Sequence, residues 1–271
     1  MELWLAALLF GAGLLAGITN AVAGGGTFFT FPVMLGAGLP PVIANASNAF
    51  AVWPATVLAT IGYRRELRPV AYKLIPSGLV ALVGAVFGAW LLIWLGDDAF
   101  TRAIPWLLGF GTALFAFGPR IYLLVQRWQQ RRQQRQQHQA LDAGTLPRRH
   151  GGLLLELPFA VYGGYFGAGI GVMLMASLSM MGIRDIQQNN ALKNYLSGLI
   201  VSVAVVVFIG AGLISWPHAL VAAAGAAIGG LLGARLARSL PALLLRYVVL
   251  SVGAGLTLYY AWDIYGPAAG R

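Results

Sequence analysis

Cysteine is absent from the 271 residues, which excludes disulfides, thiolate metal sites and cysteine nucleophiles. Charge is scarce too: Asp, Glu, Lys and Arg make up 10% of the chain, against about 25% in soluble domains. There are three histidines. His138 and His150 lie in a polar stretch and His218 follows Pro217, so none is spaced to share a site with a carboxylate. The sequence therefore lacks the parts of an intramembrane enzyme, and no cofactor is expected. No Lys-Ser or Lys-Thr follows the glycine runs, which excludes a phosphate-binding loop. What fills the chain is apolar residues, at 59%. Long apolar runs recur from end to end, with room for about eight spanning helices of ~20 residues each.

The net charge of +10 does not point to nucleic acid, because of where the charge sits. Seven of the 18 basic residues lie between Arg120 and Arg149, and four more between Arg64 and Lys73. Clusters beside apolar spans follow the positive-inside rule, so both are expected on the cytoplasmic face of a prokaryotic inner membrane. The first run, Trp4 to Val22, lacks the basic start of a signal peptide and is expected to be a retained helix. From Gln126 to His150, Gln and Arg dominate with no apolar face to pack, as expected of a cytoplasmic linker.

That linker divides the chain into an N-terminal transmembrane repeat over 1–125 and a C-terminal one over 151–271. Each half begins with a glycine-broken apolar segment. The first holds Ala23-Gly24-Gly25-Gly26-Thr27 before Pro32, and the second Phe166-Gly167-Ala168-Gly169-Ile170-Gly171. A short turn follows, then a helix opening on asparagines: Asn45 and Asn48 in one half, Asn189, Asn190 and Asn194 in the other. Membrane segments broken by glycine at corresponding places in two halves mark a transporter's binding site, since unwound backbone at membrane depth is tolerated where it lines a cavity.

If each broken segment dips in and returns, each half has three full crossings and the copies are inverted, which gathers Arg184, Arg235 and Arg238 with the basic clusters. Leu153 to Phe166 and Ile170 to Met181 are too short to span, which favours this arrangement. Trp4 to Val22 is long enough to cross alone, so eight conventional crossings with parallel copies is the alternative. The expected fold is an all-α polytopic membrane protein of two homologous inverted repeats, each a glycine-broken re-entrant helix pair plus three transmembrane helices.

Gly17-Ile18-Thr19-Asn20-Ala21-Val22-Ala23-Gly24-Gly25-Gly26-Thr27, with Pro32, Gly38-Leu39-Pro40-Pro41, Ala46-Ser47-Asn48 and Tyr63-Arg64-Arg65, resembles the first-half signature of the sulfite exporter TauE/SafE family, also called the toluene sulfonate uptake permease family. Tyr162-Gly163-Gly164-Tyr165-Phe166-Gly167-Ala168-Gly169-Ile170-Gly171 and Asn189-Asn190-Ala191-Leu192-Lys193-Asn194 resemble its second signature. The likeness covers nearly all of the chain except the Gln/Arg linker. It implies carriage of sulfite, sulfonates or other organosulfur anions.

The chemistry agrees independently. A small oxyanion in a low-dielectric setting needs positive potential and directed donors, and helix N-termini supply both. The expected binding residues are Asn20, Gly24, Gly25, Gly26, Thr27, Ser47, Asn48, Gly167, Gly169, Asn190, Lys193 and Asn194. Lys193 is the one basic residue well inside an apolar helix zone, where an ammonium needs a partner, and the substrate anion is the natural one. Each feature has a plainer reading: glycines as helix-packing faces, asparagines as helix bridges, Lys193 snorkelling to the surface. Glu156, beside Pro158, reads as an interfacial charge in preference to a proton carrier. With no ATP site, transport is expected to be secondary, with a small anion, a proton or sodium ion and the lipid bilayer as partners. A membrane scaffold without transport of its own, or a permease for a non-sulfur carboxylate, is the alternative.

Overall fold

The computed structural model describes residues 1–22, 25–143, 151–183, 185–236 and 242–266. Among these there is no strand. The helices are α1 (Leu3–Val22), α2 (Thr27–Gly36), α3 (Pro41–Gly62), α4 (Arg64–Leu67), α5 (Leu74–Ala143), α6 (Gly151–Tyr165), α7 (Ile170–Met180), α8 (Ile186–Gly210), α9 (Trp216–Leu236) and α10 (Ala242–Tyr265), with a 3₁₀ segment at Arg68–Lys73. Among the described residues five helical stretches are long and apolar enough to cross a membrane, one of them covering Arg64–Gly118. The protein is an all-α, integral, multi-pass membrane protein.

Gly96 breaks α5 with φ +72°, so its 70 residues form two arms, 74–95 and 97–143. After the break the chain turns back: Phe100 packs edge-on against Tyr165, Phe110 against Tyr162, and Gly118 faces Val172. Asp97, just past the turn, accepts a 2.8 Å hydrogen bond from the Val42 amide, placing a carboxylate at the otherwise unpaired N-terminus of α3. The helix of the second arm continues to residue 143, through most of the Gln/Arg stretch; residues 144–150 of the linker lie outside the described residues.

Two ends of the molecule can be told apart by their hydrogen bonds. At one, Asp97 meets Val42, the Ser215 amide donates to Ser47 Oγ, and the Tyr265 hydroxyl donates to the Arg102 carbonyl. At the other, Lys73 Nζ donates to the Met181 carbonyl and the Tyr195 hydroxyl to that of Leu74. The α1–α2 pair leaves and returns to the first end, and α6–α7 to the second. The helices α3, both arms of α5, α8, α9 and α10 run between the ends.

Each hairpin's first helix packs on a helix of the other half. Small residues let those backbones approach closely. A Cβ on Gly13 would stand 2.1 Å from the Ala222 carbonyl oxygen, and one on Gly229 2.1 Å from that of Leu14. Between α6 and the first arm of α5, a Cβ on Gly88 would stand 2.0 Å from the Val161 carbonyl oxygen, and one on Gly164 2.3 Å from that of Ala85. No side chain larger than hydrogen fits at these four positions.

Candidate functional site

The two hairpin turns face one another across α3 and α8, enclosing a cavity of about 70 Å³. A water molecule's share of liquid volume is ~30 Å³, so this conformation has room for a very small solute. Of the residues expected from sequence, Asn20, Gly25, Gly26, Thr27, Asn48, Gly167, Gly169, Lys193 and Asn194 line it. Gly24 lies outside the described residues. Ser47 and Asn190 are elsewhere: Ser47 is fully buried with its hydroxyl on the Ser215 amide, and Asn190 is half-buried one turn before Asn194.

Backbone amides converge on the cavity because both hairpins return as helices that start there. In the first, the amides of Phe28 and Phe29 donate to the carbonyls of Gly25 and Gly26, leaving those of Gly26 and Thr27 without backbone partners among the described residues. In the second, Ile170 and Val172 donate to Gly167 and Gly169, leaving the amides of Gly169 and Gly171. The α2 and α7 N-termini thus offer four amides and the positive ends of two helix dipoles.

The two turns use glycine differently. Gly167 and Gly169 have φ of +80° and +77°, a conformation that disfavours any side chain, and the Tyr162 hydroxyl holds the intervening Ala168 carbonyl at 2.6 Å. Gly25 is not left-handed, and its smallness serves close approach: a Cβ there would come 2.9 Å from Phe115 Cζ and 3.3 Å from Val249 Cγ1. The positive φ that a glycine run suggests belongs to the second half.

Side chains complete the lining. Lys193 is 8% exposed, and among the described residues its ammonium has neither a hydrogen bond nor an ion pair. The snorkelling alternative is not the conformation seen. Asn48 is held by the Thr30 hydroxyl, which donates to its Oδ1 and leaves Nδ2 without a partner among the described residues. Lys193 and Asn48 are the eighth residues of α8 and α3. Asn20 Nδ2 donates to Thr56 Oγ1 at 3.1 Å, so it bridges helices as well as lining the cavity.

Thr56, Phe166 and Ser197, which the sequence did not single out as binding residues, also line the cavity, as do Asn45 and Gly171 from the asparagine-led helix and the second glycine-broken segment. Asn45 donates Nδ2 to the Tyr165 carbonyl at 2.9 Å while its buried Oδ1 has no partner among the described residues. Its position at the start of a polar helix face was a usable signal. Glu156 corrects an expectation: it is 1% exposed, with Ser77 donating to Oε1, and is a buried group instead of an interfacial charge.

Comparison with known proteins places this architecture. The profile described as sulfite exporter TauE/SafE matches residues 9–260. The chain belongs to the sulfite exporter TauE/SafE family. Relatives aligned over nearly their full lengths bear transporter names. A probable membrane transporter protein of Haemophilus influenzae is 26% identical over 266 residues, covering 96% of this chain and 95% of the relative. The probable membrane transporter protein ORF9 of a Sinorhizobium species is also 26% identical over 266 residues, with 97% and 95% covered. The probable membrane transporter protein YfcA of Escherichia coli is 24% identical over 269 residues, with 96% and 90% covered. No solved structure matches the chain. As a TauE/SafE member the protein is a membrane transporter, not an enzyme, working on a small-molecule substrate in a lipid environment.

Proposed function

We propose that the protein is a secondary transporter of small sulfur oxyanions, sulfite or sulfonates, which bind in the cavity between two inverted repeats. The observation that carries this reading is Lys193: a buried ammonium lining a cavity, without a protein partner among the described residues, opposite two helix N-termini. Burying an ammonium in a membrane span costs from about 3 kcal/mol by insertion scales to well over 10 for an isolated helix. A bound oxyanion offsets that cost through a charge-assisted hydrogen bond, while the Asn48 amide and the free backbone amides direct its remaining oxygens. The asparagines, Thr27 and Ser197 add donors that carry no charge of their own.

The repeats are 1–125 and 151–271, joined by a cytoplasmic linker over 126–150. Their inverted relation is supported by the hairpins, which enter from opposite ends, and by matched packing. The first helix of each hairpin lies on the other half through a glycine from each side, Gly13 against Ala222 with Gly229 against Leu14, and Gly88 against Val161 with Gly164 against Ala85. Alternating access then follows from movement of the hairpins against the spanning helices about a fixed cavity.

The test is flux in liposomes containing the purified protein, with labelled sulfite, thiosulfate, methanesulfonate, sulfoacetate and, as the non-sulfur arm, acetate. Saturable flux of a sulfur oxyanion that falls at least tenfold in Lys193→Gln supports the reading. Folded protein that moves none of the sulfur anions overturns it, and acetate flux alone assigns the cavity to carboxylates.

A further inference from the structure

Glu156 is the buried ionisable group that the anion site does not use. Its carboxyl lies on α6, where Ser77 Oγ donates to Oε1 at 3.3 Å and Oε2 has no partner among the described residues. Glu156, Ala160, Gly163 and Gly164 share one face of α6, at helical spacings of four, seven and eight. Gly163 and Gly164 line the cavity, so the carboxyl sits about 10 Å along the helix from it, at 1.5 Å per residue. It lies toward the end where Lys73 meets Met181.

The surroundings of Glu156 suit a proton better than a metal cation. Among the described residues, no group of three or more His, Asp or Glu side chains forms a cage. The first arm of α5 offers the Ser77 hydroxyl, and α7 carries no ionisable side chain. From α8 come Tyr195, whose hydroxyl donates to the Leu74 carbonyl, and Lys193 at the cavity. The charged neighbour acting on Glu156 is Lys73, whose Nζ also holds the Met181 carbonyl at the far end of the same hairpin. Ala81 and Ala160, one helical turn on from Ser77 and Glu156, belong to an apolar cluster that also holds Leu192 and Leu196. A carboxylate oxygen with no donor in such a place is a poor resting state, whereas a carboxylic acid leaves no charge to solvate.

We propose that Glu156 is the proton-binding group of the transport cycle, which rests on the transporter reading above. One proton from water on one side of the membrane adds to Oε2, and when α6 moves against α5 the same proton leaves to water on the other side. No other bond forms or breaks. Because α6 carries both Glu156 and two cavity-lining glycines, occupation of the cavity and protonation bias one moving element.

The experiment compares wild type with Glu156→Gln in liposomes loaded with unlabelled methanesulfonate or sulfite. Methanesulfonate keeps its charge across the working pH range, so any pH effect belongs to the protein. Labelled-anion exchange at equal pH should persist in Glu156→Gln, while accumulation driven by an imposed pH gradient should fall at least tenfold. Gradient-driven accumulation equal to wild type overturns the proposal and leaves the transporter reading intact. Should neither anion move, infrared difference spectra of the purified protein decide independently. A carboxylic C=O band that disappears on alkaline titration of wild type and is missing from Glu156→Gln supports the assignment, and identical spectra overturn it. Glu156→Asp, which keeps the group on a shorter stem, serves as the second variant: a titrating carboxylic band or a retained gradient response there supports titration at this position, and loss of neither in Glu156→Gln overturns it.

Discussion

Lys193 on α8 lies over Gly171 on α7, its Cδ 3.4 Å from where a Cβ at position 171 would stand. The contact joins the one cation among the described residues lining the cavity to the helix end whose amides are left free at the same space. The lysine stem is guided by a residue too small to push it aside.

Replacing that lysine separates charge from hydrogen bonding. Lys193→Gln should weaken anion affinity at least tenfold, a loss of about 1.4 kcal/mol, with the fold preserved. Lys193→Arg should keep part of the affinity, since guanidinium retains the charge in a planar fork. Gly171→Val should act like a partial Lys193→Gln by displacing the stem. Anion-dependent thermal stabilisation and flux read all three, and wild-type affinity in Lys193→Gln removes this residue from the site.

The second turn should be intolerant for a conformational reason. Gly167→Ala and Gly169→Ala each place a methyl on a left-handed residue, costing roughly 1–2 kcal/mol. Both variants should melt several degrees below wild type even in the absence of any anion.

At the first turn the reason is steric, which a second substitution can relieve. Gly25→Ala drives a methyl into the Phe115 ring, an overpacking cost of about 1–3 kcal/mol. Gly25→Ala with Phe115→Leu should recover most of the stability lost in the single variant. Equal destabilisation in the single and double variants would place the penalty in the backbone.

Arg246 spans a gap left by a proline. Pro119 has no amide to donate to the Phe115 carbonyl four residues back; Arg246 Nε does so at 3.1 Å, and another guanidinium nitrogen holds the Ala116 carbonyl. Arg246→Met should cost about 1–3 kcal/mol, chiefly by leaving the part-buried Phe115 carbonyl without its guanidinium donor, measured by thermal unfolding in detergent.

Topology is unusually easy to test, because a chain without cysteine has no labelling background. Asp98→Cys and Arg102→Cys should react with an impermeant maleimide in intact cells. Arg65→Cys and Arg127→Cys should react only after permeabilisation. The reverse pattern would invert the orientation, and all four reacting alike would exclude the assignment of ends.

The sequence made the broken segments legible because glycine runs and chain reversals are local chemistry. The starts of α2 and α7, the turn before α3 and the asparagines at the head of α8 all follow from neighbouring residues. Most of the cavity was legible for the same reason. Long-range pairing was not. The amide of Ser215 claims the Ser47 hydroxyl, and Tyr165 claims one end of Asn45; neither partner can be read from residues 41–48. Glu156 beside Pro158 has the local look of a helix start at an interface, and its burial is created by Ser77 and the first arm of α5, 79 residues earlier in the chain.

The seam between α1 and α9 also sets a timetable for biosynthesis. Gly13 and Ala222 meet with their backbones nearly touching, yet about 209 residues separate them in the chain. At about 5–20 residues per second, the ribosome takes roughly 10–40 s to deliver α9 after α1 has emerged. During that interval the glycine face of α1 has no native mate, so the N-terminal hairpin must lodge temporarily against lipid or the insertion machinery. It closes the cavity only as one of the last helices made arrives.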